Sequence, residues 1–235
     1  MRSFDGQLFG LVSELSLINL NNNLLCELPA ELPWNNLNCI KVITLSHNQL
    51  SCLPPQLCCH PTLEELDCSY NLLEQLPANA FQGCSRLRQL DLSSNRLTSV
   101  ESLSATLHSC LCVLRLSGNH LHSLPTVIYE MQLLQELLLD RNQLSTFASG
   151  TFLPGSDSHN MEISAAFSGL KQLRTLNLRC NHITSLPLAF FDWLPELYSF
   201  DMADNLLTWT EVQRFPSYDR WVKSLDKHLK KKNAC

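Results

Sequence analysis

The chain has 235 residues, of which 45% are hydrophobic and 17% are charged, and its formal net charge is -5. This length and apolar content allow a large hydrophobic core and exclude a disordered polar chain. The negative charge argues against nucleic acid as a partner, because binding to phosphate groups needs a positively charged surface.

Residues 1–14 precede the first copy of a repeated pattern and are predicted to form an N-terminal cap. Their apolar residues Phe4, Leu8, Phe9 and Leu11 can cover the open end of a stacked array. They lack the uninterrupted apolar stretch of roughly 7–15 residues that a secretory signal has. No segment approaches the roughly 18 consecutive apolar residues of a membrane helix, so we expect no membrane contact.

Residues 15–210 contain eight copies of one pattern, and residues 87–100, LRQLDLSSNRLTSV, are one of them. In that copy the apolar residues stand at positions 87, 90, 92, 97 and 100, and Asn95 stands among them. The asparagines of successive copies are 25, 23, 24, 24, 23, 39 and 24 residues apart. A fixed period of this length indicates supersecondary units that bury their apolar faces against their neighbours. The eight asparagines are Asn23, Asn48, Asn71, Asn95, Asn119, Asn142, Asn181 and Asn205.

The spacing within each copy predicts its local structure. Leu-x-Leu has the period of two of a β-strand, so both leucines lie on one face. The asparagine then turns the chain inward, because its short polar side chain can bond backbone groups. Leu-Pro pairs such as Leu53-Pro54 and Leu76-Pro77 end the strand, since proline has no N–H to donate. Stacked copies therefore place their short strands in one parallel sheet.

The pattern resembles that of the leucine-rich repeat family, in the LxxLxLxxNxLxxLP form of intracellular members. The resemblance implies an α/β solenoid, a curved horseshoe of eight repeats with a parallel sheet on the concave side and irregular or helical segments on the convex side. It also implies that the asparagines form a ladder of hydrogen bonds to the backbone of neighbouring repeats. Residues 76–90, LPANAFQGCSRLRQL, instead resemble the extracellular type of repeat, which leaves a receptor ectodomain open as an alternative.

The free surface of the predicted sheet carries the candidate binding site. Residues that alternate with the core leucines, two, four and six positions before each asparagine, point to the concave side. Acidic side chains prevail there, so we expect this face to dock a protein partner with a basic segment. The alternative is a solvated face with no specific ligand. The candidate residues are Glu65, Asp67, Asp91, Arg115, Glu136, Leu138, Asp140 and Arg179.

Two segments depart from the repeat. The step of 39 residues contains an insertion at about 148–166, and its serine, glycine and aspartate content predicts a loop. Residues 211–235 are predicted to form a C-terminal capping helix with a basic tail, because Trp221, Leu225 and Leu229 share one helical face.

The cysteines and asparagines bear on location. The 11 cysteines are an odd number scattered through the chain, which is typical of buried free thiols rather than of a disulfide framework. None of the 18 asparagines lies in an Asn-x-Ser/Thr sequence, so the chain has no N-glycosylation site. Both observations favour a cytoplasmic or nuclear protein.

The sequence lacks the common catalytic and metal motifs His-Glu-x-x-His, Cys-x-x-Cys and Gly-x-Ser-x-Gly. We therefore expect no enzymatic activity, no cofactor and no metal site. The predicted function is that of a monomeric scaffold or adaptor in signalling. A second interpretation is the recognition segment of a protein resembling the Roco-type GTPases and kinases, and a third is a receptor ectodomain.

Overall fold

The computed structural model of the chain describes residues 14–28, 37–145 and 167–232. Of the predicted N-terminal cap, only Glu14 lies within these ranges. The predicted insertion at 148–166 lies outside the described residues.

The eight copies of the pattern form eight strands of three residues each. They make one parallel sheet whose strand order is the chain order, β1 to β8. Each strand pairs in register with the next, so that Glu65, Gln89 and Val113 are direct neighbours. The leucine-rich repeat solenoid predicted from the sequence is thus the observed fold. The strands are Leu17–Asn19, Val42–Thr44, Glu65–Asp67, Gln89–Asp91, Val113–Arg115, Glu136–Leu138, Thr175–Asn177 and Ser199–Asp201.

The strands are shifted by one residue from the predicted Leu-x-Leu segment. Each strand centres on the first leucine of that segment, as Leu90 does in β4, and the second leucine, Leu92, follows the strand. Hydrogen bonds between neighbouring turns of the solenoid, here called coils, continue beyond the strand, since the Leu92 N–H donates to the Arg115 carbonyl at 2.9 Å. The backbone changes direction two residues after Leu92, at Ser94, whose φ is 54°. The regular strand therefore ends before Leu92.

The convex side is built from short helical pieces and turns, as the fold predicts. It has 3-10 helices at Leu57–Cys59 and Ala105–Ser109 and α-helices at Thr126–Tyr129 (α1) and Phe190–Trp193 (α2). The core lies between these pieces and the sheet. Its largest fully buried side chains are Phe81, Phe167 and Phe190.

Two glycines set the spacing between coils on the convex side. Gly83 and Gly169 each stand two residues after a buried phenylalanine, in the matching sequences FQGC and FSGL. A Cβ atom at Gly83 would overlap the backbone carbonyl of Cys59, and one at Gly169 would overlap that of Tyr129. The neighbouring coil therefore leaves no room for a side chain at either position.

Gly83→Ala is expected to lower the free energy of unfolding by about 1–3 kcal/mol, because overpacking forces the backbone of the adjacent coil to move. Urea denaturation of the two chains measures the difference. Ser85→Ala, two residues on at an exposed position, is the control and should change stability by less than about 0.5 kcal/mol. Equal effects of the two substitutions would show that the coils are not packed this closely.

The last coil is covered by two helices, Trp209–Val212 (α3) and Tyr218–Lys232 (α4). A capping box between Thr208 and Glu211 starts α3. In α4, the Trp221 indole N–H donates to the Leu197 carbonyl at 2.8 Å, and its ring stacks on Phe191 at 4.7 Å. The described residues contain no helix that is long and apolar enough to cross a membrane.

Candidate functional site

The concave face brings three of the predicted acidic residues together. Asp67 and Asp91 are direct neighbours in the register of β3 and β4, and Glu65 lies two residues before Asp67 in β3. Neighbouring strands are about 4.8 Å apart, so these side chains share one small area of the sheet. Glu65, Asp67 and Asp91 are called the acidic cluster below.

Both aspartates of the acidic cluster also shape the backbone. Asp67 Oδ1 accepts a hydrogen bond from the Ser69 N–H at 2.9 Å and from the Ser69 hydroxyl at 2.6 Å. Asp91 Oδ1 accepts from the Ser93 N–H at 2.9 Å. One oxygen of each carboxylate therefore holds the turn after its strand. Sequence reasoning missed this role, although an aspartate two residues before a serine is a known turn signal.

Arg115 separates the acidic cluster from the acidic residues of the later coils. Its Nε lies 2.8 Å from Glu136 Oε1, and its Nη1 lies 3.8 Å from Asp91 Oδ2. The close partner of the guanidinium is thus Glu136. Among the described residues, no cationic side chain forms an ion pair with Glu65 or Asp67 as Arg115 does with Glu136.

The other predicted site residues are engaged further along the sheet. Asp140 Oδ1 accepts hydrogen bonds from the Ser117 hydroxyl and the Asn177 side-chain amide. Arg179 binds Asp204 in the loop after β8, with its Nη2 2.9 Å from Asp204 Oδ2. Leu138 is half-buried between Arg115 and Asn177. The structure therefore does not join these three residues to the acidic cluster.

The environment of Asp91 opposes its negative charge. Burial raises the pKa of Asp91 above its ordinary value, and the nearby carboxylate of Asp67 adds to the rise. The hydrogen bonds from Ser93 and the charge of Arg115 act in the opposite direction without cancelling it. A cation brought to this part of the face would relieve the unfavourable interaction.

Asp91→Asn is therefore expected to raise the melting temperature at pH 7, with an advantage that shrinks toward pH 4. A raised folded-state pKa means that the Asp91 proton stabilises the folded chain at low pH, and this contribution is lost as pH rises through that pKa. The asparagine keeps an oxygen for the Ser93 N–H. Thermal unfolding between pH 4 and 7 measures the effect. An advantage that grew toward low pH would contradict it.

The pattern asparagines hold the coils together. Asn95 Oδ1 accepts from the Leu73 N–H, and its Nδ2 donates to the Cys68 and Leu92 carbonyls, each at 3.0 Å. The other asparagines from Asn48 to Asn205 repeat this arrangement. Within the part of the chain that the structure describes, Asn23 donates to the Leu20 and Asn21 carbonyls of its own coil.

The residue before each pattern asparagine forms a second row, called the rim row below, that sequence reasoning missed. All eight of its members have a φ between 54° and 65°, a region that few residues other than glycine favour. Two of them, His47 and Tyr70, stack with ring centroids 4.2 Å apart. The rim row consists of Asn22, His47, Tyr70, Ser94, Gly118, Arg141, Cys180 and Asp204.

The cysteines of the described residues form no disulfides. All ten cysteines within the described ranges are free thiols. Cys58, Cys68 and Cys84 lie in the core, and burial raises the pKa of Cys84 to about 12. Such thiols behave as small apolar side chains. Within those same ranges, no three His, Cys, Asp or Glu side chains are arranged to hold a metal ion.

Comparisons with known proteins agree with the fold. Two family models described as leucine rich repeat match residues 60–97 and 172–194. Podocan-like protein 1 from Homo sapiens is 30% identical over 87% of this chain and 46% of its own length. Leucine-rich repeat serine/threonine-protein kinase 1 from Mus musculus is 36% identical over 50% of this chain and 6% of its own length. The chain thus spans less than half the length of these relatives.

Solved structures show the same architecture. The Leptospira interrogans LRR protein LIC12759 superimposes with a TM-score of 0.77 over 94% of this chain and 50% of its own, at 24% identity. A chain of the Toll–Spatzle complex from Drosophila superimposes with a TM-score of 0.64 at 25% identity, over 87% of this chain and 30% of its own.

Proposed function

Because the chain belongs to the leucine-rich repeat superfamily, we propose that it is a non-catalytic interaction module that holds a protein partner on its concave face. The observation that carries this proposal is the acidic cluster, in which three carboxylates on neighbouring strands face the open side of the sheet. The Toll–Spatzle structure, a complex, gives a precedent for binding by this architecture.

The charge of the cluster defines the kind of partner. Arg115 is occupied by Glu136, so the cluster presents net negative charge to an incoming segment. Complementary charge on a partner increases the rate and specificity of association. The partner segment is therefore basic, and the chain binds it as a monomer that acts as a scaffold or adaptor.

The free thiols support a reducing location, in the cytoplasm or nucleus. An ectodomain in an oxidising compartment more often carries disulfides. Mass measurement of the chain from its native source, after alkylation without reduction, tests this location. Mass added at all 11 thiols of the denatured chain supports it, and uptake at only one or a few thiols would favour the ectodomain interpretation, because an odd number of cysteines leaves at least one unpaired.

A second candidate follows from the match to the kinase, which covers only 6% of that protein. In this case the repeats would serve as the recognition segment of a longer, enzymatic chain. Mass-spectrometric sequencing of the endogenous protein discriminates the two, because the recognition segment would be joined to peptides of a kinase or GTPase domain.

The binding proposal is tested by neutralising the acidic cluster without removing its hydrogen-bond acceptors. The test variant carries Glu65→Gln, Asp67→Asn and Asp91→Asn. The control variant carries Glu74→Gln, Glu101→Gln and Glu196→Gln, which change the net charge equally at exposed positions outside the strands. Both are immobilised and exposed to cytosolic extract at low and high salt.

We expect the unmodified chain and the control variant to retain the same specific protein at low salt and the test variant to lose it. High salt should weaken the retained interaction, because it screens charges on the surface. Equal capture by all three chains would contradict a role for the acidic cluster.

A further inference from the structure

The rim row places an exposed aromatic pair beside the acidic cluster. Tyr70 follows Asp67 by three residues, and its side chain is 53% exposed. One face of its ring is covered by His47, with the two rings nearly parallel at 10°. Stacking between neighbouring coils therefore fixes the plane of Tyr70.

Since His47 covers one face of Tyr70 and the residue is still 53% exposed, its exposed surface includes the opposite face of the ring. The next rim-row residue is Ser94, whose side chain is too short to cover a tyrosine ring, and the one after it is Gly118, which has no side chain. The rim row thus has a gap two coils wide between Tyr70 and Arg141. A planar group can lie against Tyr70 within this gap.

The coils that carry Tyr70 and Ser94 each present a carboxylate, Asp67 in β3 and Asp91 in β4. The Asp67 carboxylate accepts a hydrogen bond from the N–H of Ser69, which is the residue before Tyr70. The Asp91 carboxylate accepts a hydrogen bond from the N–H of Ser93, which is the residue before Ser94. In both residues Oδ1 accepts this bond, which leaves Oδ2 as the oxygen that a ligand can contact. In Asp91, Oδ2 lies 3.8 Å from Arg115 Nη1.

We propose that this gap binds an arginine side chain of the partner's basic segment, with its guanidinium stacked on Tyr70 and its N–H groups directed to Asp67 and Asp91. This inference rests on the proposed function and adds a residue preference to it. The site combines an aromatic face with carboxylates at its edge, which are the two groups that a guanidinium binds simultaneously.

The geometry favours arginine over lysine. A guanidinium is planar, weakly hydrated and able to stack on an aromatic ring while it donates hydrogen bonds from its edge. An ammonium group is a compact, strongly hydrated charge that gains less from the ring. Lysine would therefore respond to the carboxylates alone.

Three fluorescein-labelled peptides test the preference. They share one extended, twelve-residue Gly/Ser/Thr sequence and carry either three arginines, three lysines or three citrullines. Fluorescence anisotropy gives the Kd of each peptide for the unmodified chain. We expect arginine to bind about fivefold more tightly than lysine, and citrulline to bind most weakly because it lacks the charge.

Tyr70→Asn should lower the affinity for the arginine peptide to that of the lysine peptide and leave the lysine value unchanged. Asparagine tolerates the positive φ at this position, so the fold is retained. Tyr70→Phe should preserve the preference. Tyr198→Asn, which removes a 43% exposed tyrosine beside β8, is the control and should have no effect.

Equal affinities for arginine and lysine, or an equal loss of both in Tyr70→Asn, would overturn the arginine site. The proposed function would survive that result if neutralising the acidic cluster still weakened both peptides and the captured partner. Absence of binding by both cationic peptides, together with unchanged partner capture by the neutralised variant, would overturn both.

Discussion

Asn95→Ala is expected to lower the free energy of unfolding by about 3 kcal/mol. The substitution removes hydrogen bonds to the Leu73 N–H and to the Cys68 and Leu92 carbonyls. The two carbonyls keep a second asparagine each, since Asn71 bonds Cys68 and Asn119 bonds Leu92. The Leu73 N–H loses its acceptor in a buried position, and this unsatisfied donor is the largest part of the cost.

Asn23→Ala is the matched control for this prediction. Asn23 is half-buried, and its bonds among the described residues are to carbonyls of its own coil, so its loss should cost about 1 kcal/mol or less. Chemical denaturation of the two variants measures the difference. Similar losses for both would show that the bonds between coils contribute no more than a local turn does.

Phe190→Ala is expected to cost about 3–5 kcal/mol, the usual range for removing a buried phenylalanine. Phe190 lies at the centre of an aromatic group that joins the last coils. Its ring centroid is 5.2 Å from those of Phe167, Phe191 and Phe200. Removing it leaves a cavity beside Phe191 and Phe200, whose rings contact Trp221 and Trp209 of the two C-terminal helices.

Guanidinium unfolding gives the total loss, and hydrogen exchange locates it. Because coils contact mainly their neighbours, exchange should accelerate first around β7 and β8 and least around β3. Leu188→Ala, at a 67% exposed position two residues earlier, should change stability by less than about 0.5 kcal/mol. Uniform acceleration along the whole sheet would contradict a local closing role.

The fold could be predicted because the same spacing of leucines and asparagine occurs eight times in the sequence. Eight copies of one spacing identify which leucines face inward, and an in-register stack then determines which residues are neighbours on the concave face. Asp67 beside Asp91 follows from counting alone, because both stand four positions before an asparagine. The strand limits were less accurate, since hydrogen bonds between coils extend beyond the segment of regular strand geometry.

The contacts of the site were not predictable to the same degree. Arg179 stands in the concave row, yet its long side chain reaches Asp204 on the next coil. The rim row was also missed, because only Gly118 among its members is a glycine, and Tyr70, Arg141 and Cys180 seldom adopt positive φ. Hydrogen bonds between neighbouring coils hold the backbone in that conformation. The residue types at these positions do not predict it.

Carbodiimide labelling of carboxylates, with and without the captured partner, tests the central claim most directly. Mass spectrometry of the digested chain reports the labelling of each carboxylate. We predict that the partner protects Glu65, Asp67 and Asp91 and leaves Glu74, Glu101 and Glu196 labelled as in the free chain. Protection of the second set without the first would place the interaction away from the concave face and contradict the proposed function.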